Sequence, residues 1–157
     1  MSEGLTHLNA AGQAHMVDVT GRETTVRIAD TSARVHLSSH VVSLLRDGKT
    51  PKGDVLATAR IAGIMAAKKT SELIPLCHPI AINSISIELE IVDGGVAIKA
   101  QVITSDRTGV EMEALTAVSV AGLTIIDMVK ALDPAASISE IRIDSKSGGK
   151  NGDWKRA

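Results

Sequence analysis

Aromatic residues are almost absent from this chain. Among its 157 residues there is no Phe, no Tyr and a single Trp, Trp154. Proteins that bind single-stranded nucleic acids usually stack bases on aromatic side chains, so this composition argues against that class. Because 44% of the residues are hydrophobic, we expect an aliphatic core. The length favours a single domain over residues 1–157.

Cysteine is also scarce, and neither positive nor negative charge is in clear excess. The formal net charge is −1, so we expect no general electrostatic attraction to nucleic acid or to an anionic membrane surface. The single cysteine, Cys77, excludes a disulfide within the chain and suits a reducing compartment. The first twenty residues contain no apolar segment typical of a signal peptide. We therefore expect a cytoplasmic protein.

The longest apolar stretch is GVEMEALTAVSVAGLTIIDMVKAL, residues 109–132. Thirteen consecutive residues between Glu113 and Asp127 carry no charge, a run shorter than the roughly 18 apolar residues of a membrane span. Thr-Gly before the stretch and Asp-Pro after it predict a helix of about seven turns. Because this helix is apolar on almost every side, we expect it to be buried on most of its circumference.

Hydrophobic alternation predicts strands at residues 23–37, 84–91, 96–104 and 141–143, and shorter apolar segments predict helices at residues 38–48 and 55–69. Merging these two helices gives the order β-α-β-β-α-β. This is the α+β, ferredoxin-like pattern, in which helices cover one face of an antiparallel sheet, here with an extra helix in the first crossover. We expect residues 1–20 to form an N-terminal arm and residues 146–157 a flexible Gly- and Lys-rich tail.

Charged residues mark both ends of the long helix. Glu111 and Glu113 lie in its first turn, where the helix dipole favours carboxylates. Asp127 and Lys130 lie three residues apart near the other end, on one face. Burying a charged pair costs free energy unless the two charges pair with each other or serve a functional site. Asp127 and Lys130 are therefore either a structural ion pair or part of a functional site. Glu113 and Asp127 are 14 residues apart, about 21 Å along a helix, so they could share one small site only between two antiparallel copies.

The segment LIPLCHP places Cys77 and His78 between two prolines that fix a binding edge. Neighbouring residues of an extended segment point in opposite directions, so this pair would not bind one metal ion. No other ligand spacing suggests zinc, and we expect no metal. The structural alternatives are a small buried hydrophobe for Cys77 and a loop histidine bonded to the backbone for His78.

Basic residues suggest an anionic ligand. Lys52 precedes the start of a helix, where backbone N–H groups and an ammonium can bind an anion. Lys146 and Lys150 flank a glycine pair whose backbone can wrap a phosphate. Since the whole chain is nearly neutral, these lysines favour a small phosphorylated ligand over a polymer.

Six motifs together resemble one known family. They are KGDV (52–55), ATARIAGI (57–64), LIPLCHP (73–79), TGVEMEALTA (108–117), DMVKA (127–131) and SGGKNGDW (147–154). Over essentially its whole length the chain is similar to the molybdenum-cofactor biosynthesis protein C family, the cyclic pyranopterin monophosphate synthases. The combination of LIPLCHP with GVEMEALTA is the most specific part of the resemblance.

The resemblance implies a lyase that acts early in molybdenum cofactor biosynthesis. Its substrate would be 3′,8-cyclo-7,8-dihydroguanosine 5′-triphosphate, made by a radical enzyme upstream, and its products cyclic pyranopterin monophosphate and pyrophosphate. The resemblance also implies a ferredoxin-like fold, a homohexamer built as a trimer of dimers, sites at the dimer interface, and no metal or redox cofactor.

The resemblance also implies roles for particular residues. It places general acid/base groups at Asp127, Lys52 and Lys130. It places phosphate-holding groups at Arg27, Lys146 and Lys150. The remaining substrate-contacting positions are Leu76, Cys77, His78, Met112 and Glu113. Two alternatives are a ligand-sensing regulatory module of the same fold, which would not need Asp127 and Lys130, and a structural assembly subunit, which would leave His78 and the lysines without a purpose.

Overall fold

The computed structural model of the protein describes residues 8–150 and 152–157. In this part of the chain, five strands and four helices follow one another in sequence. They are β1 (Thr25–His36), α1 (Ser39–Arg46), α2 (Val55–Ala67), α3 (Thr70–Leu73), β2 (Ile82–Val92), β3 (Gly95–Asp106), α4 (Glu111–Val129), β4 (Ser137–Ser147) and β5 (Trp154–Lys155).

The strands form one antiparallel sheet in the order β2-β3-β1-β4-β5. The central strand β1 pairs along its whole length with β3, and α2 and α4 pack together on the sheet. The predicted ferredoxin-like β-α-β-β-α-β fold is confirmed. The helices α1 and α3 are additions to the crossover between β1 and β2.

Local sequence signals begin the first two helices as expected, and one also follows the end of α1. The Ser38 hydroxyl accepts a hydrogen bond from the Val41 N–H at 3.5 Å, and the Asp54 carboxylate accepts one from the Ala57 N–H at 2.9 Å. Both side chains satisfy N–H groups that have no partner within the helix. Gly48, with φ of 65°, follows α1 in the left-handed conformation that glycine adopts readily.

Small residues allow α2 and α4 to approach each other closely over an aliphatic core. A Cβ added to Gly63 of α2 would lie 2.8 Å from the Ala117 carbonyl oxygen and 3.3 Å from the Ala121 Cβ of α4. On another side of α4, a Cβ added to Gly122 would lie 3.0 Å from Ile138 Cδ1 in β4. Contact at backbone distance therefore fixes the position of α4 between α2 and the sheet.

The helix α4 is shorter than its prediction, and one of its sides is exposed. It runs over 19 residues, about five turns rather than seven, because the residues around Gly109 and Leu132 are not helical. Met112, Leu123 and Asp127 lie on an outer side that the chain leaves uncovered. Buried side chains occupy the larger part of the circumference, so the expected burial is confirmed apart from this outer side. By length and apolar composition alone α4 could cross a membrane, but it packs against α2 and the sheet as a core helix.

The two terminal segments contact the domain. Residues 1–7 of the predicted N-terminal arm lie outside the described residues. Further along the arm, the Val17 carbonyl oxygen accepts a hydrogen bond from the His78 side chain at 2.7 Å. In the predicted tail, β5 pairs Trp154 with Lys146 of β4, a strand that the sequence did not indicate. The flexibility of that tail stays a prediction.

We predict that Gly63→Ala lowers the free energy of unfolding by about 1–3 kcal/mol, the usual cost of overpacking. Alanine favours helices over glycine, but its methyl group would meet the Ala117 carbonyl of α4, which cannot move without the whole helix. Urea unfolding at one fixed protein concentration measures the change. Gly21→Ala, where an added Cβ meets nothing within 4 Å, is the control. A Gly63→Ala protein as stable as wild type would contradict the close contact.

Candidate functional site at the two ends of α4

The predicted site residues fall into two groups, one at each end of α4. The first group lies around its N-terminal end and contains Arg27, Leu76, Cys77, His78, Met112, Glu113, Lys146 and Lys150. The second group lies near its C-terminal end and contains Lys52, Asp127 and Lys130. Each group is built by different elements of the fold, and each has its own electrostatics.

A cationic pocket of about 240 Å³ lies at the N-terminal end of α4, lined by Arg27, Lys146 and Lys150 together with glycines of the tail. Strand pairing places two of the cations side by side. Lys146 of β4 pairs directly with Ala29 of β1, and Arg27 is two residues before Ala29. Both side chains therefore lie on the face of the sheet that carries the buried Ala29 and α4.

Backbone contacts hold the Arg27 side chain in this pocket. Its Nε donates to the Asp106 carbonyl oxygen and its Nη2 to the Arg107 carbonyl oxygen, both at 3.1 Å. Gly149 lies so close that a side chain there would overlap the guanidinium. Since two of its donors already hold it against the end of β3, Arg27 is preorganised for an anion.

A second pocket, of about 360 Å³, adjoins the first and is lined by the loop residues Leu76, Cys77 and His78 and by Met112 and Glu113 of α4. His78 bonds to the arm, so its predicted structural alternative, a hydrogen bond to the backbone, is present. The arm also lines the pocket through Val17 and Val19.

The two pockets form one cleft, because four residues line both of them. These are Arg22, Thr108, Gly109 and Glu111. The cleft thus has a cationic end and a more apolar end, joined across the first turn of α4. A small ligand with an anionic tail and a less polar head matches this arrangement.

Glu113 is the most perturbed acid of the cleft. Its side chain is buried, with 4% of its surface exposed. Burial raises its pKa to about 7; a hydrogen bond from its own backbone N–H opposes the shift, and the nearby Glu111 charge adds to it. The sequence placed Glu113 at the helix N-terminus as a favourable charge, but burial outweighs the dipole. Burial, followed by the Glu113 charge, also raises the pKa of the Cys77 thiol, which makes it a poor nucleophile.

Two lysines surround one carboxylate at the other end of α4. Lys130 Nζ lies 2.6 Å from Asp127 Oδ1, and Lys52 Nζ lies 3.7 Å from Asp127 Oδ2 and donates to the Asp127 carbonyl oxygen at 2.9 Å. The hydrogen bond and charge of Lys130, followed by the charge of Lys52, lower the Asp127 pKa. The side chains of Asp127 and Lys130 are each 60% exposed. The expected entry of this pair into a buried surface is therefore wrong for the single chain.

Within one chain the two groups do not meet. Glu113 and Asp127 lie on the same helix, α4, and 14 residues at 1.5 Å per residue separate them by about 21 Å. The cluster Lys52–Asp127–Lys130 therefore lies beyond the reach of a small ligand held in the cleft of the same chain. Any single site that uses both groups needs a second chain.

Sequence reasoning missed Arg22, Thr108 and Glu111, the three polar residues that line both pockets of the cleft. Glu111 was seen only as a helix-dipole charge, although it stands two residues from Glu113 in the motif GVEMEAL. Arg22 follows a glycine in a segment without periodicity, so nothing in the sequence linked it to the later motifs. Among the described residues no group of three or more His, Cys, Asp or Glu side chains could hold a metal ion.

Comparison with known proteins places the chain among close relatives. A sequence model described as the MoaC family matches residues 16–149. The chain is 59% identical over 153 residues to the cyclic pyranopterin monophosphate synthase of Streptomyces avermitilis, covering 98% of this chain and 90% of that protein. It is 55% identical to the synthase of the same name from Dinoroseobacter shibae, covering 95% and 96% of the two chains. It is 53% identical to cyclic pyranopterin monophosphate synthase 2 of Mycobacterium tuberculosis, covering 97% and 91%.

The buried Glu113 predicts a pH-dependent stability. Its folded pKa of about 7 lies above the ordinary value of 4.5, so the unfolded chain gives up this proton first as the pH rises. The protonated Glu113 makes its full contribution to the free energy of unfolding below about pH 4.5. This contribution falls by on the order of 3 kcal/mol as the pH rises to about 7. Glu113→Gln, which stays neutral, should gain stability relative to wild type over this range.

Urea unfolding at several pH values between 5 and 8 measures this difference. Glu90→Gln, at an exposed position of β2, controls for the loss of one negative charge and should follow the wild-type pH profile. Parallel profiles for wild type and Glu113→Gln would contradict the perturbed carboxyl.

Proposed function

Because the chain belongs to the MoaC family, we propose that it is a cyclic pyranopterin monophosphate synthase, a lyase of molybdenum cofactor biosynthesis. It converts 3′,8-cyclo-7,8-dihydroguanosine 5′-triphosphate to cyclic pyranopterin monophosphate and pyrophosphate. The substrate comes from a radical enzyme upstream, and the reaction needs no metal or redox cofactor. The protein acts in the cytoplasm on a small molecule, with no part for nucleic acid or membrane.

The observation that carries this proposal is the two-ended cleft at the N-terminal end of α4. Its cationic end contains Arg27, Lys146 and Lys150, which suit a triphosphate. Its other end is lined by Leu76, Cys77, His78, Met112 and Glu113, which suit a purine-derived ring. A nucleotide-derived substrate spans both ends.

The cationic end supports the departure of pyrophosphate. A substrate hydroxyl oxygen attacks the α-phosphorus, its proton is removed, and the bond from that phosphorus to pyrophosphate breaks. Negative charge builds up on the leaving group, so cations fixed in place lower the barrier. Arg27 is held by two backbone carbonyl groups for this purpose.

Rebuilding the ring system requires repeated proton transfers, which we assign to Asp127, Lys52 and Lys130. The lowered pKa of Asp127 keeps it ionised beside both lysines. A lysine becomes a base near neutral pH when burial lowers its pKa. The side chains of Lys52 and Lys130 are 48% and 60% exposed in the single chain, so further burial must come from outside this chain.

A second copy of the chain supplies both the burial and the missing half of the site. Antiparallel α4 helices from two chains bring Glu113 of one copy toward Asp127 and Lys130 of the other. The outer sides of the two long helices expose Ile61, Met65 and Leu123, each more than half exposed, and such apolar surface suits an interface. We therefore assign an inter-subunit site in a homohexamer arranged as a trimer of dimers.

The main alternative, a regulatory module that senses a ligand, leaves Asp127 and its two lysines without a task. Conversion of the substrate by the purified protein, with no other protein present, separates an enzyme from a sensor. The following two predictions test the site itself.

We predict that Lys52→Ala, Lys130→Ala and Asp127→Asn each lower kcat by at least about 100-fold, the typical contribution of a general acid or base. Because the three side chains are exposed in the single chain, the stability of the fold should remain as in wild type, and a loss of kcat counts only for variants that still assemble. Turnover assays combined with urea unfolding and light scattering measure both properties. Lys49→Ala, which removes another exposed lysine, is the control. A near wild-type rate for any of the three variants would remove that residue from the acid/base group.

We predict that coexpressed Asp127→Asn and Glu113→Gln chains, each inactive alone, recover activity in mixed oligomers. A mixed interface contains one site in which Glu113 comes from the first chain and Asp127 from the second, both unchanged. Affinity tags that differ between the two chains isolate mixed oligomers for the assay. Absence of activity in oligomers shown to contain both chains would place the two groups in separate sites and overturn the shared site.

A further inference from the structure

Glu111 lies where the two ends of the cleft meet. Its side chain lines both pockets and is 26% exposed. Its Oε1 lies 3.1 Å from Lys146 Nζ. The carboxylate folds back over Gly109, two residues before the helix, where a side chain would overlap it. The Glu111 carboxylate is thus drawn into the cationic pocket.

The surroundings of this carboxylate are those that suit an anion. It stands at the start of a 19-residue helix whose N-cap, Val110, makes no side-chain hydrogen bond to the helix. Lys146 contacts it directly, and Arg27 shares the pocket. A phosphate chain entering the cleft needs the same lysine and the same end of the helix.

We propose that Glu111 is an internal stand-in for substrate phosphate. The Glu111 carboxylate binds Lys146 while the cleft is empty and releases Lys146 to the phosphate chain when the substrate enters. This inference rests on the proposed function, because it assumes that phosphate occupies the cationic pocket. A phosphate group carries more charge and more acceptor oxygens than a carboxylate, so Lys146 binds phosphate more strongly than it binds Glu111.

Through this exchange, Glu111 sets the affinity of the cationic pocket for the phosphate chain of the substrate. Once displaced from Lys146, its negative charge stays beside the bound phosphates and weakens their binding. The same repulsion speeds the release of pyrophosphate after the reaction. A purely structural ion pair would act in the opposite sense, since it would hold Lys146 in place for the ligand and its loss would weaken binding.

The test is binding of inorganic tripolyphosphate to the full-length protein by isothermal titration calorimetry. Glu111→Gln keeps the shape of the side chain and removes its charge, so its Kd should fall by about 3- to 10-fold relative to wild type. Lys146→Ala should raise Kd by at least a similar factor. Glu90→Gln removes the same charge from an exposed position on β2 and should change Kd less than twofold.

A second variant guards against a folding defect in Glu111→Gln. Glu111→Asp keeps the negative charge at the start of α4 but is one methylene shorter, which draws the carboxylate away from Lys146. Its Kd should lie between those of wild type and Glu111→Gln. In steady-state turnover, Glu111→Gln should lower both KM and kcat, because substrate binds more tightly and pyrophosphate leaves more slowly.

The outcomes separate the two levels of the proposal. If Lys146→Ala weakens binding but neither Glu111 variant tightens it, the stand-in role is overturned and the phosphate pocket remains. If wild type does not bind tripolyphosphate, or if Lys146→Ala binds it as wild type does, the phosphate pocket itself is overturned, and with it the role of Glu111.

Discussion

The close contact of α4 with α2 and the sheet determines how the charged groups of α4 lie relative to those of the neighbouring strands and loops. Gly63 lets the backbone of α2 approach Ala117, and Gly122 lets β4 approach α4. Contacts at this distance fix both the rotation of α4 and its position along its axis. The first turn of α4 is thereby placed against Arg27, near the start of β1, and Lys146, near the end of β4. A shift of one turn, about 5.4 Å, would separate Glu111 from Lys146.

Much of the fold could be predicted from the sequence because its signals are local. Alternation in β2 around Ile85 and Ile87, and the capping residues Ser38 and Asp54, depend only on neighbours in the chain. The short strand β5 was missed because two residues carry no periodicity and depend on pairing with β4. The length of α4 was overestimated because apolar composition continues past the last helical turn.

The site was less predictable, since it depends on contacts distant in sequence. The motifs indicated the residues of both groups, but the sequence could not show that Arg22 and Glu111 join the two pockets. Burial of Asp127 and Lys130 was inferred from the apolar run before them. Only the packing shows that this run turns its buried side to α2 and the sheet, which leaves the pair exposed. The surfaces that a second copy covers depend on contacts between chains, which a single chain does not contain.

The two carboxylates of the proposed site acquire opposite properties from one helix. Glu113 and Asp127 are 14 residues apart, which at about 100° per residue places them roughly 40° apart around the axis of α4. They therefore lie on nearly the same side of the helix, and the difference comes from what covers each end. At the first end, the pocket that contains His78 and the N-terminal arm buries Glu113 and raises its pKa.

At the other end nothing in the described chain covers Asp127, and two lysines lower its pKa. Paired acid and base roles in enzymes arise when the environment separates the pKa values of two carboxyl groups in this way. On the proposed function, a site shared between antiparallel copies would contain one carboxyl with a pKa of about 7, which titrates near neutral pH, and one that remains charged. The same fixed helix then contributes a carboxyl with a raised pKa to one site and an ionised carboxylate to the next.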